Sequence, residues 1–161
     1  MILDPRLVGF STSGFLPRER VCEARTVTSI QVADEVFIAA APTLAGPVVG
    51  DRARWRQWWP DLALTVVEDR GHQGVRWTVE GPIAGTMEIW CEECMDGFVL
   101  HYYLHAEPVG PLPTDPRECM DALAEMNRLR RITGKEMSFH VKWLLEGDRE
   151  VGAPAVAAAE E

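Results

Sequence analysis

The residues with chemical reach are few: four histidines, two tyrosines and four cysteines. Cys91-Glu92-Glu93-Cys94 has the spacing of a metal-binding or redox pair. A structural zinc site needs four tetrahedral ligands, usually two such pairs. Here Cys22 and Cys119 are solitary, and strand alternation sends Cys91 and Cys94 to opposite faces. A thioredoxin-like motif needs a helix N-terminus after its first cysteine, and no helical pattern follows Cys91. No metal site and no cofactor are therefore expected. His101, Tyr103 and His105 share one face of a strand, but the two histidines stand about 13 Å apart, too far for one metal. That face reads as solvated, with Trp90 beside it as a dimer contact. His140, on a helix, is left as a candidate. Facing a pocket, it would orient a ligand carbonyl or act as a general base; otherwise it is a histidine satisfied by packing. Asn127 and Arg130 are its candidate partners, and Tyr102 is a second acid/base candidate. There is no serine triad, P-loop or glycine-rich dinucleotide motif, and residues 81–85 (GPIAG) form a turn.

The elements that must position these residues are legible from periodicity. Residues 26–39, rich in β-branched side chains, predict strand 1. Residues 43–49 predict a short helix, and Asp51 caps a second over 52–58 that Pro60 stops. Strands follow at 62–69, 75–80, 85–93 and 98–107. In the third, Val75, Trp77 and Val79 alternate with Arg76, Thr78 and Glu80, the pattern of a half-buried strand. Asp96-Gly97 marks a hairpin. Thr114-Asp115-Pro116 opens a helix that runs to about Glu146, with Thr133-Gly134 as its expected kink or break and Gly147 as its end. Tight turns make the sheet antiparallel, and the long helix is the one large element able to cover a face of it.

The chain has 161 residues, 47% of them hydrophobic, which suits one domain with a full core. Residues 1–31 carry a charge of +1 and the rest −10. So acidic a body repels phosphate backbones and anionic membranes, and nucleic acid is not an expected partner. No apolar run is long enough to span a membrane. The expectation is a cytoplasmic protein with reduced cysteines, and the arginine- and alanine-rich composition suggests a GC-rich bacterial genome. The division expected is a poorly ordered extension over 1–25, a domain over 26–147 and a disordered tail over 148–161. Val32 is read as an alternative start, a GTG initiator.

The order of elements resembles the START-like superfamily (SRPBCC, Bet v 1-like), which includes bacterial polyketide cyclase/dehydrase and lipid-transport proteins. Four stretches carry the resemblance: Val36-Phe37-Ile38-Ala39-Ala40-Ala41-Pro42, Asp51 through Trp58-Trp59-Pro60, Asp96-Gly97-Phe98-Val99-Leu100-His101-Tyr102, and Lys142-Trp143-Leu144-Leu145-Glu146-Gly147. It covers about residues 32–147. The resemblance implies an α+β helix-grip fold, a curved antiparallel sheet around a long C-terminal helix, with two short helices after strand 1. It also implies a pocket between sheet and helix for a hydrophobic lipid, isoprenoid or polyketide. The ligand-binding candidates are Trp59, Trp77, Met87, Ile89, Leu100, Tyr102, Met137, His140 and Leu144, with Phe98, Leu104, Met126 and Leu129 also placed inward. Trp58 and Trp59 stand at the expected pocket mouth, as a lid or as a packing anchor. Five strands, where the family commonly has six or seven, predict a smaller or more open cavity. The alternatives are a cyclase/dehydrase-like enzyme using His140 or Tyr102, and an interaction or homodimerisation module with a closed core that uses the Trp90/Tyr103 face.

Overall fold

The structure, a computed structural model, describes residues 27–159. The expected extension over 1–25 lies outside them. β1 (Ile30–Ile38) leads through a 3-10 turn (Pro42–Leu44) into α1 (Ala45–Val49) and α2 (Arg52–Trp58). β2 (Ala63–Asp69), β3 (Gly74–Glu80), β4 (Ile83–Cys94) and β5 (Gly97–Pro108) follow, and α3 (Pro116–Glu146) ends the fold. The strands form one antiparallel sheet in the order β1-β5-β4-β3-β2. This is the helix-grip arrangement with five strands.

Local chemistry accounts for the boundaries. The Asp51 carboxylate accepts from the Ala53 N–H at 2.8 Å and caps α2. The Asp115 carboxylate accepts from the N–H groups of Arg117 and Glu118 and caps α3, with Pro116 in its first turn. Gly147 ends α3 at φ 53°, a left-handed value suited to glycine. β4 turns into β5 through Met95, itself at φ 52°, and Asp96.

β1 begins at Ile30, two residues before Val32. Ile30 is fully buried opposite Ala106, and the Gln31 N–H donates to Asn127 Oδ1 at 3.0 Å. A chain begun at Val32 would lack both contacts. In the tail, Val156 bridges Ala40 in parallel, accepting from the Ala41 N–H at 2.7 Å and donating to the Ala39 carbonyl at 3.0 Å.

α3 is one unbroken helix of 31 residues, without the break expected at Thr133-Gly134. The glycine serves a different end. A Cβ on Gly134 would stand 2.5 Å from Tyr102 Cε1, so the missing side chain lets the helix meet the β5 ring. Polar ties fix the helix along its length. Asn127 Nδ2 donates to the Ser29 carbonyl at 3.0 Å. Lys135 donates to Asp34 at 2.6 Å, and Lys142 to the Phe37 carbonyl at 2.8 Å. Arg130, 4% exposed, makes a two-pronged contact with Asp61 at 2.6 and 3.1 Å. The Glu146 carboxylate accepts from the Ala39 N–H at 2.7 Å and from Lys142.

Two predictions follow from this packing. Gly134→Ala gains about 1 kcal/mol of helix propensity but forces a methyl into a ring that cannot retreat, a change that costs roughly 1–3 kcal/mol. The net expectation is a lower midpoint in urea; a stabilised variant would show that the close approach is not limiting. The second concerns acid. The hydrogen bond from Arg130 holds the Asp61 carboxyl below its ordinary 3.8. For Glu146, burial pushes the carboxyl up, but the hydrogen bonds from Lys142 and Ala39 outweigh it and leave the group below 4.5. Both groups bind protons more readily when unfolded, so their contribution is complete at neutral pH and is lost as pH falls through these values. Stability measured against pH should decline from about pH 5 downward, and less steeply in Asp61→Asn with Glu146→Gln. An unchanged slope in the double variant would remove these two groups as the cause.

Candidate functional site: the interior of the grip

The sheet face toward α3 is built by alternation. Register places Trp77 beside Met87, Met87 beside Leu104, Ile89 beside Tyr102 and Cys91 beside Leu100. Phe98, Leu100, Tyr102 and Leu104 all point inward and are fully buried, as expected from the strand pattern. From α3, Met137 reaches the same space and is fully buried. Met126, His140 and Leu144 are half-buried at its margin. Leu129, expected inward, is 46% exposed, because the inner stripe of α3 runs instead through Arg130, Gly134, Met137, Ser138 and Val141.

Trp59 decides the character of the interior. It is 1% exposed and stacks on Tyr102, with ring centroids 5.9 Å apart and planes 13° from parallel. Its other neighbour is Trp77 at 5.9 Å, and Trp55 meets Trp77 edge-on at 5.1 Å. Trp59 is therefore an anchor inside the grip rather than a lid over a mouth. Trp59, Trp77, Met87, Ile89, Leu100, Tyr102 and Met137 are each 0–1% exposed, so they pack against their neighbours with almost no free surface. The interior is closed, where a smaller or more open cavity was the expectation. Concavities lie elsewhere: about 130 Å³ beside Arg52, Trp55, Arg56, Leu62 and Leu64, and about 330 Å³ on the outer sheet face at Asp34, Glu35, His101 and Tyr103.

Two groups in this apolar interior lack a partner among the described residues: the indole N–H groups of Trp59 and Trp77. The Trp59 N–H lies near the Tyr102 hydroxyl and lowers its pKa, a weaker effect than burial, without reaching hydrogen-bond geometry. The Tyr102 hydroxyl itself donates to Met87 Sδ at 3.4 Å. Burial pushes the Tyr102 phenol well above its ordinary 10, against a small opposing pull from Arg130. It is a neutral donor here, with no base function at ordinary pH.

His140 sits at the rim, and its partner is neither Asn127 nor Arg130. Trp58 Nε1 donates to His140 Nδ1 at 2.9 Å. An indole only donates, so Nδ1 presents its lone pair and the neutral ring carries its proton on Nε2. The lone pair a general base would use is already engaged. No sequence signal pointed to the Trp58–His140 bond, because the partners lie 82 residues apart.

The outer sheet face also differs from expectation. His101 is 9% exposed, stacked between Trp90 at 4.8 Å and Tyr103 at 6.1 Å, with Glu92 at 3.1 Å from Nε2. Trp90 and Tyr103 are half-buried in this stack, and His105 is exposed. Cys91 and Cys94 are unpaired thiols, and burial pushes Cys91 up to about 12, which makes it inert as a nucleophile. Cys22 lies outside the described residues. Among the described residues no cluster of three or more His, Cys, Asp or Glu is placed to hold a metal. No described helix is long and apolar enough to cross a membrane.

No protein-family model and no curated protein matches the chain. Solved structures do. A protein of unknown function from Staphylococcus aureus, SA2116, aligns at 14% identity over 71% of this chain and 94% of its own, with a TM-score of 0.52. The polyketide cyclase-like protein Cgl2372 from Corynebacterium glutamicum aligns at 19% identity over 76% and 94%, with a TM-score of 0.46. The di-domain aromatase/cyclase StfQ of the steffimycin pathway aligns at 16% identity over 70% of this chain and 49% of its own, with a TM-score of 0.48. At these identities the likeness concerns the fold alone. A five-stranded antiparallel sheet closed around one long C-terminal helix, with two short helices after the first strand, gives this chain the helix-grip fold.

Proposed function

We propose that the chain is a non-catalytic binding protein for a hydrophobic small molecule of the lipid, isoprenoid or polyketide class, taken into the grip when Trp59 swings out. The observation that carries this reading is the pair of unpaired indole N–H groups, Trp59 and Trp77, in an otherwise apolar interior. A buried polar group without a partner costs roughly 1–3 kcal/mol. A ligand with an apolar body and one acceptor atom would replace the Trp59 ring against Tyr102 and give the Trp77 N–H its partner. The concavity beside Trp55, Leu62 and Leu64 adjoins Trp77 through Trp55 and marks the way in. Trp58 bonded to His140 is the latch, holding α2 to α3 while the site is empty. Exposing one large side chain costs roughly 1.5–3 kcal/mol, which weakens apparent affinity roughly ten- to a hundredfold relative to an open site. A cytoplasmic location, with free cysteines, is part of the same reading.

A second reading is favoured by one observation, the 0–1% exposure of the interior residues: an interaction or homodimerisation module whose core stays closed. A cyclase/dehydrase-like enzyme has less support, since His140 Nδ1 is engaged and Tyr102 is held neutral.

Native mass spectrometry of protein purified from its own host should show a retained small molecule. Fatty acids, isoprenoid quinones and aromatic polyketides should then be tried on the empty protein. A true ligand at a hundred times its Kd adds about 2.7 kcal/mol, or about 5–10 °C in Tm for a chain of this size. No retained molecule and no Tm shift across the panel would leave the closed-core module as the function.

A further inference from the structure

The two edges of the sheet are finished differently. Along β1 the Gln31 N–H is bonded to Asn127 and the Phe37 carbonyl to Lys142. β2 closes the order β1-β5-β4-β3-β2 and has a bonded neighbour, β3, on one side only. Among the described residues no hydrogen bond reaches its other side. An edge strand presents free N–H and C=O groups, and proteins blunt such edges with lysine, proline, inward charge or a bulge. β2 carries one bulge, between Val66 and Glu68. The stretch before it, residues 62–66 (LALTV), has none of those devices.

Leu62, Leu64 and Val66 are half-buried and lean on the core, while Ala63 and Thr65 are exposed. Val67, in the bulge, is 52% exposed. The two ends of the strand differ in charge. Arg52 and Arg56 of α2 are exposed and line one concavity with Leu62 and Leu64. Neither is in an ion pair among the described residues. Asp61, at the same end, is already neutralised by Arg130. At the far end Glu68 and Asp69 are exposed. Glu68 stands 3.4 Å from Arg70, and the Asp69 carboxylate accepts from the Gly71 N–H.

We infer that a second copy of this chain pairs with β2, strand against antiparallel strand about a two-fold axis near Leu64, so that one sheet runs through both molecules. The ends of the strand select this occupant. Antiparallel pairing brings the acidic end of each β2 to the Leu62 end of the other, the side on which Arg52 and Arg56 stand, and the symmetry does so twice. With the axis at Leu64, Leu62 lies beside Val66 of the second copy, and the two half-buried faces continue into each other. Both bulges then fall outside the paired stretch. So short an edge buries less than a standard interface, which puts the dimer in the micromolar range. The inference uses no part of the interior and holds whether or not the grip takes a ligand.

The test is sedimentation equilibrium of the full chain across the micromolar range, where a monomer–dimer equilibrium is expected. Arg56→Asp reverses an attraction that occurs twice and should weaken the dimer about tenfold. Asp69→Arg added to it should restore the affinity. Thr65→Lys sets two ammonium groups near the axis and should weaken the dimer at least as much. The Tm of each variant as a dilute monomer reports any damage to the fold, and Thr65→Lys decides the matter should Asp69→Arg disturb its hairpin. A monomer at every concentration, a dimer indifferent to Arg56→Asp and Thr65→Lys, or no recovery on adding Asp69→Arg at unchanged Tm would each overturn the inference.

Discussion

The packing of Tyr102 between an aromatic ring and a glycine is the constraint on which the rest of the structure depends. Trp59 stacks on it at 5.9 Å, and Gly134 brings the backbone of α3 against its ring edge. Any side chain at position 134 would lift the helix from β5. With the helix this close, Trp59 fills the space against the Tyr102 ring. The closed state of the grip is thus set by one ring and one missing methyl. The two unpaired indole N–H groups are the cost of filling an interior with tryptophan.

Polar groups hold the helix at that distance. β1 is an edge strand, and an uncovered edge invites pairing with another chain. α3 covers it through Asn127, Lys135 and Lys142, while Glu146 ties the end of the helix to Ala39. Arg130 and Asp61 secure the other side, beside the loop that follows Trp59. Trp58, the last residue of α2, is held on the near side of Trp59 by its bond to His140. Trp59 therefore sits in a short segment with ties at both ends.

Much of this was legible in the sequence, for reasons particular residues show. Alternation in 75–80 and 98–107 named the buried face correctly because strand side chains alternate whatever the tertiary context. Asp51 and Asp115 announced their helices because capping is local. The failures needed distant information. Gly134 was read as a break, since a glycine that weakens a helix and a glycine that admits a ring look alike in sequence. Leu129 was placed inward because α3 carries two apolar lines, and only the sheet selects between them. Trp59 reads as a lid or an anchor until its stacking on Tyr102, 43 residues later in the chain, is known. The pocket implied by family resemblance is in this chain occupied by the chain itself.

The central claim is that Trp59 is the part of the closed interior that yields to a ligand. It is tested most directly by the ¹H–¹⁵N spectrum of the indole N–H groups during titration with anilinonaphthalene sulfonate, a probe with an aromatic body and acceptor oxygens. The account predicts that the Trp59 and Trp77 resonances move together and saturate, while that of the exposed Trp143 does not follow them. A probe that binds with Trp59 and Trp77 unmoved would contradict it.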